Sequence, residues 1–278
     1  MVRRRILLIV MSLLMLLQFT ACGTSNKHEN KLVRLSTTTS VQDSGLLPEL
    51  EKLFEDKSGY TLDIVANGTG AAIKLGETGD ADVILVHAKA AEEEFIEAGF
   101  GVKRLPFMHN YFIIAGDQSD PAGITSSENA SEAFAKILEA EANFVSRGDD
   151  SGTHKAELKI WQQAGLEPAG DWYISAGKGM GPCLTMAGEM QAYIMTDKAT
   201  YLATRDQHKL DVILDESEDL KNTYSVIAID AEKHPDTNVK GAQAWIDFLA
   251  SDEAADIIRE FGISQYGEAL FMYDGFEA

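Results

Sequence analysis

The sequence predicts an α/β protein of two lobes, each a mainly parallel sheet flanked by helices. Three features predict it. Short β-branched or apolar runs alternate with segments of helical periodicity, the order expected of βαβ units. The alternation reaches Ala115 and restarts at Phe144, implying a second sheet. The chain then ends in two helical segments, which need a sheet to bury against.

In the first half, Leu32 to Leu35, Thr61 to Val65, Asp82 to Val86 and Tyr111 to Ala115 read as strands. Helical spacing covers Leu46 to Lys57, Ala71 to Leu75 and Ala90 to Ala98. In the second half, Phe144 and Val145 lead into a helix near Lys155 to Ala164. Trp172 to Ser175 leads into Cys183 to Met190, and Ala192 to Met195 into Lys198 to Thr204. Tyr224 to Ile229 is again extended, and Gly241 to Ala250 and Glu253 to Phe261 are helical. The tail is expected to return to the first lobe. Lobe 1 is therefore residues 32–111 and 225–278, and lobe 2 is residues 112–224, with a hinge at the two crossings near 112–116 and 220–225. No fixed-period repeat argues for a solenoid.

Residues 1–21 differ from the rest. Arg3, Arg4 and Arg5 precede the apolar stretch Ile6 to Leu17, and Ala21 stands before Cys22. This is the pattern of a secretory signal peptide. The apolar stretch is shorter than the roughly 20 residues of a membrane-spanning helix. Cys22 resembles the lipidated cysteine of bacterial lipoproteins, although Phe19 occupies the place where Leu is usual. Residues 22–31 would then be a polar tether holding the protein to the outer face of the cell membrane; plain secretion is the alternative. Cys183 is the only other cysteine, so no disulfide framework is expected, and it reads as a core filler.

The formal charge is −20, and loss of the leader, whose three arginines are its only charged side chains, takes it to −23. Such a surface repels nucleic acid at long range, and any anion site must be local and enclosed.

Three segments carry candidate chemistry. Ser36-Thr37-Thr38-Thr39-Ser40 follows a predicted strand; Thr38, Thr39 and Ser40 offer hydroxyls and turn N–H groups to a crevice, and the competing reading is a polar strand end. Asn67-Gly68-Thr69-Gly70 opens a helix, with Thr69 and Gly70 as donors, but lacks the phosphate-loop spacing. Ser146-Arg147-Gly148-Asp149-Asp150-Ser151-Gly152-Thr153-His154 joins the Arg147 guanidinium to the free N–H groups of Ser151, Gly152 and Thr153 at a helix start. Asp149 and Asp150 are assigned to capping and to orienting Arg147; the alternative is a surface cap with Arg147 paired to Asp150. Weaker donors are Met180 and Gly181, from Gly177-Lys178-Gly179-Met180-Gly181, and Thr196 at a strand end. Zinc spacings and a Gly-x-Ser-x-Gly elbow are absent from the sequence, and His87, ending an apolar strand, reads as a satisfied buried histidine.

These segments (STTTSVQDSG, NGTGAAIKLGETGDADV, FVSRGDDSGTH and GKGMG, with AYIMTDKATYLA) resemble the tungstate-binding lipoproteins of ABC uptake systems over about residues 32–272. The resemblance implies the type II periplasmic-binding-protein fold, related to molybdate-binding proteins. It also implies an oxyanion held in the interlobe cleft and delivery to a membrane permease driven by an ATPase. Thr38, Thr39, Ser40 and Thr69 would face Arg147, Ser151, Gly152 and Thr153. The expectation is a monomeric, non-enzymatic carrier of tungstate without cofactor or cation site. Molybdate, sulfate and phosphate are alternative ligands. A transferase or hydrolase using Ser151 and His154 is the rival of another class.

Overall fold

The computed structural model describes residues 30–276. The leader, Cys22 and most of the tether lie outside the described residues. The chain forms β1 (Leu32–Thr38), α1 (Thr39–Asp43), α2 (Leu46–Ser58), β2 (Thr61–Asn67), α3 (Thr69–Thr78), β3 (Val83–Val86), α4 (Lys89–Glu97) and the long β4 (Leu105–Gly116). There follow α5 (Ala130–Glu139), β5 (Phe144–Ser146), α6 (Gly152–Gln163), β6 (Tyr173–Ser175), α7 (Met180–Met190), β7 (Tyr193–Asp197), α8 (Lys198–Ala203) and β8 (Asp211–Leu214). The chain closes with β9 (Lys221–Ala228), α9 (Val239–Leu249), α10 (Asp252–Glu260), α11 (Ile263–Tyr266) and β10 (Met272–Tyr273).

The strands run in the order β2-β1-β3-β9-β4-β7-β5-β6, with β8 and β10 also on β4. The two wings are parallel: β1 lies between β2 and β3, and β5 between β6 and β7. The centre is antiparallel, because β9 returns through the sheet against β3 and β4. The sheets are thus mixed where a mainly parallel arrangement was expected, and the two long strands at the middle account for the difference. β4 changes partner along its length. Leu105 to Tyr111 pair with β9, whereas Phe112 to Ala115 pair with β7.

Period-two alternation places apolar side chains on both faces of each wing. On one face of the first, Val33, Leu35, Val83 and Leu85 meet Leu47, Leu50 and Phe54 of α2 and Trp245 and Leu249 of α9. The Phe54 and Trp245 rings meet edge to face, centroids 5.0 Å apart. On the other face, Ile84 and Val86 meet Ala72 and Ile73 of α3 and Phe95 of α4. The tail helix α9 therefore packs with β1, as the need to bury its apolar side requires. The second wing repeats the plan: Phe144 packs with Phe134 and Trp161 on one face, and Val145 and Ile194 with Cys183 and Leu184 on the other.

The sequence reading missed α5 and β8, and placed the starts of α6 and α7 three residues late. Gly152, Thr153 and Gly181, Pro182 are weak helix signals, yet they form first turns, where proline and glycine cost little because the N–H groups have no intrahelical partner.

One carboxyl is buried inside the second wing. Glu157 of α6 is 2% exposed, and its Oε1 accepts from Tyr173 Oη at 2.7 Å and Trp161 Nε1 at 3.2 Å. Burial pushes its pKa up to about 7. A carboxyl that titrates higher when folded holds its proton between the unfolded and folded values, so stability falls as pH rises through that window. Between pH 4.5 and 7 the protein should lose up to about 3 kcal/mol of unfolding free energy, and Glu157→Gln should flatten that slope in urea titrations.

Candidate anion-binding site

In open α/β sheets the ligand crevice lies beyond the carboxyl ends of the parallel strands. β1 and β2 end side by side at Thr38 and Asn67, and His87 follows the last residue of β3. The hydroxyl run divides here. Ser36 Oγ donates to Ala72 O at 2.9 Å and Thr37 Oγ1 to Leu85 O at 2.8 Å, so both stitch the sheet to its surroundings. Thr38 is buried, Ser40 half-buried and Thr39 exposed at the start of α1. Thr69 opens α3; it is 2% exposed, and its Oγ1 has no hydrogen-bond partner. A buried hydroxyl without a partner is costly unless something else occupies its bonding direction.

The second group of donors follows β5. Ser151 caps α6, its Oγ accepting from His154 N at 3.3 Å, and Gly152 and Thr153 form the first turn. Asp149 ties Arg147 back. Its Oδ2 accepts from Arg147 Nη2 at 2.5 Å and Nε at 3.1 Å, while Oδ1 accepts from Ser151 N at 3.2 Å. Burial alone would raise the Asp149 pKa; the bonds from Ser151 and the Arg147 guanidinium outweigh it and hold the carboxyl below its ordinary range. Asp150 pairs with Lys155 at 3.3 Å and not with Arg147. Lys178 N donates to Arg147 O at 3.3 Å, which sets the turn before α7, with Met180 and Gly181 in its first turn, beside the arginine segment. Thr196 is buried in β7, and its hydroxyl donates to Asp197 O at 3.2 Å.

The two donor groups meet. A Cβ added at Gly152 would lie 2.7 Å from His87 Cε1 and 3.3 Å from Thr69 Oγ1, and one added at Gly70 would lie 3.9 Å from Lys155 Nζ. The first turns of α3 and α6 thus face each other, each with unpaired backbone N–H groups and the positive end of its helix dipole. Arg147 lies on the loop leading into α6 with its guanidinium paired to Asp149, and its part in the set belongs to the function proposed below. Such a set can hold an anion by donation alone.

Chemistry of the Ser–His kind is not assembled here. Ser151 Oγ bonds the backbone N–H of His154, and the ring Nδ1 of His154 accepts from Asp150 N at 3.0 Å. The imidazole is therefore engaged away from the hydroxyl it would need to activate.

Asn110, Asn222 and the Tyr224 hydroxyl escaped the sequence reading as support of the site, and His87 was read only as a satisfied buried histidine. Thr38 Oγ1 and Ser40 Oγ are 3.0 Å apart, Ser40 Oγ and His87 Nε2 3.0 Å, and His87 Nδ1 and Asn222 Oδ1 2.8 Å. Asn222 Nδ2 donates to Asn110 Oδ1 and to Tyr224 Oη, both at 2.9 Å. With its amide hydrogens so used, Asn222 presents Oδ1 to His87, which puts the ring proton on Nδ1 and leaves Nε2 to accept from Ser40. Burial lowers the His87 pKa to about 4, so the ring is neutral near pH 7. The signal in the sequence was slight: single polar residues, Asn110 and Asn222, set in extended segments.

The loop geometry makes one demand on glycine. Gly148 has φ of +62°, and an added Cβ would lie 2.0 Å from Ser175 Oγ. Gly148→Ala should cost about 1–3 kcal/mol in urea unfolding, and adding Ser175→Ala should recover part of it.

Comparison with known proteins identifies the family. A PBP (periplasmic-binding-protein) superfamily domain matches residues 25–253. The tungstate-binding protein TupA of Peptoclostridium acidaminophilum is 42% identical over 279 residues, covering 96% of this chain and 98% of that protein. The solved tungstate-binding protein TupA from Desulfovibrio alaskensis is 37% identical with a TM-score of 0.80, covering 88% of this chain and 99% of that one. The tungstate ABC transporter structure from Geobacter sulfurreducens is 44% identical with a TM-score of 0.74, covering 83% and 98%. This chain therefore belongs to the periplasmic-binding-protein superfamily, in its two-lobed α/β form, and to the family of the tungstate-binding proteins.

Proposed function

We propose that the protein captures tungstate and hands it to an ABC importer. The observation that carries this reading is the convergence of Thr69, with its buried unpartnered hydroxyl, and Gly152, at the facing first turns of α3 and α6. Family membership supplies the ligand. Thr38, Thr39, Ser40, Thr69 and Gly70 would contribute donors from one lobe. Arg147, Ser151, Gly152 and Thr153 would do so from the other, with Met180, Gly181 and Thr196 at the periphery. A shared ligand favours the closed form because only that form lets both sets bind at once.

The carboxylates bear on the choice of anion. Hydrogenphosphate brings a proton and gains from an acceptor, whereas tungstate, molybdate and sulfate need donors only. Asp149 has its oxygens engaged by Arg147 and Ser151, and Asp150 turns to Lys155. This favours a fully deprotonated oxyanion. Tungstate is preferred to molybdate on family grounds.

The lobes of this reading are residues 32–111 with 225–278, and 112–224. The change of partner in β4 between Tyr111 and Phe112 supports the first crossing, and the pairing of Lys221 to Tyr224 with β4 supports moving the second to the start of β9. The protein would be a monomeric, extracytoplasmic carrier without enzymatic activity or cofactor. It would be held to the membrane by lipid on Cys22 and serve a permease and its ATPase. Among the described residues no helix is long and apolar enough to cross a membrane.

Calorimetric titration at pH 7 with tungstate, molybdate, sulfate and phosphate tests the reading. Tungstate should bind tightest and phosphate weakly; tight phosphate binding with none for tungstate overturns it. Arg147→Ala should weaken tungstate by about 10- to 150-fold, as expected for loss of charge-assisted hydrogen bonds.

A further inference from the structure

His87 lies outside the donor set, yet three parts of the molecule converge on it. Its Nε2 holds Ser40 at the ligand turn, and its Nδ1 holds Asn222. Its Cε1–Nε2 edge is the surface against which Gly152 of α6 rests. Asn222 stands directly opposite Asn110 in the β4–β9 ladder, one pair before β4 leaves β9 for β7. Tyr224 completes the enclosure, its ring 4.9 Å from the imidazole. The ring therefore has no free direction to turn: both nitrogens are bonded, one face is covered, and one edge is in contact.

We infer that His87 is a positioning residue for closure, a fixed stop that seats Gly152 against Thr69 and ties the ligand turn to the crossing point of the two lobes. This rests on the capture reading above. The contact explains the residue at 152. Gly152 has no Cβ, and one added there would come within 2.7 Å of Cε1 and 3.1 Å of Nε2. Those ring atoms cannot retreat without breaking the bonds to Ser40 or Asn222. A side chain at 152 would hold the lobes apart, and the Thr69 and Gly152 donors would no longer reach one small anion together. Distance sets the sensitivity: hydrogen bonds weaken steeply beyond about 3.2 Å, so an opening of about 1 Å removes donors on one side.

The test is a double-mutant cycle on the full-length protein, with tungstate as the probe in calorimetry and small-angle scattering. Gly152→Ala should weaken tungstate by about tenfold or more, the cost of overpacking a fixed contact, and leave the tungstate-bound protein with a larger radius of gyration than wild type. His87→Ala alone should weaken binding, since Ser40 loses its anchor. In the His87→Ala background, Gly152→Ala should cost less than about threefold, and the radius should return to the closed value. Equal costs in the two backgrounds, or a Gly152→Ala protein that closes fully, overturn the proposal. A purely structural role for His87 would lower the melting temperature without this non-additivity. If Gly152→Ala does not fold, recovery of folding and tungstate binding by Gly152→Ala in the His87→Ala background gives the same decision, and failure to recover overturns the proposal. Wild-type protein that binds none of the four oxyanions overturns the capture reading instead. The non-additivity of the melting temperatures then decides the His87 contact on its own, additive shifts overturning it.

Discussion

The arrangement depends on one strand serving two sheets. β4 gives its first half to β9 and its second to β7, so a single stretch of backbone fixes the position of both parallel wings. Each wing ends its strands in helix starts, and the shared strand turns those ends towards each other. The facing of Thr69 and Gly152 follows from that crossing. Asn110 and Asn222, bonded across the ladder beside the crossing, keep the polar support of the site within reach of it.

Electrostatics at the site work against the rest of the surface. A chain with a formal charge of −20 repels dianions at long range, yet screening confines that repulsion to about 10 Å in ordinary salt. In the proposed site the relevant groups are helix-start amides, a buried hydroxyl and a guanidinium whose charge is already balanced by Asp149. Neutral donors of this kind give up less hydration than a cluster of lysines would, and their directions, rather than their charge, select a tetrahedral guest. The neutral state of His87 belongs to the same pattern: a half-buried ring that stays uncharged can accept a hydrogen bond from Ser40 without bringing a second cation to the candidate site.

Much of this was legible in the sequence. Alternation of strand and helix signals gave the two wings, and the hydroxyl and glycine clusters at strand ends marked the candidate site, because backbone amides at such ends are free whatever the side chains are. Its internal wiring was less visible. Ser36 and Thr37 look like Thr38 and Ser40 in sequence, and only the positions of Ala72 O and Leu85 O separate the pair that stitches the sheet from the pair that faces His87. The roles of Asp149 and Asp150 diverge for a similar reason: the positive φ of Asp150 swings it outward to Lys155 while Asp149 folds back on Arg147. α5 carries its own local signals, an Asn129 cap and a buried stripe of Ala130, Ala133, Phe134 and Ile137, and was passed over because it lies between the two runs of strand and helix alternation. β8 is four residues long, too short for a window of sequence to separate from a loop.

Ser36 and Thr37 have an effect beyond holding the sheet. By fastening the end of β1 to α3 on one side and β3 on the other, they leave the turn that follows little freedom of its own. In the proposed site this side is therefore ordered before any guest arrives. Little conformational entropy is lost there on capture, and selectivity between guests of different size is sharpened because the rigid half cannot remould itself around a poorer fit.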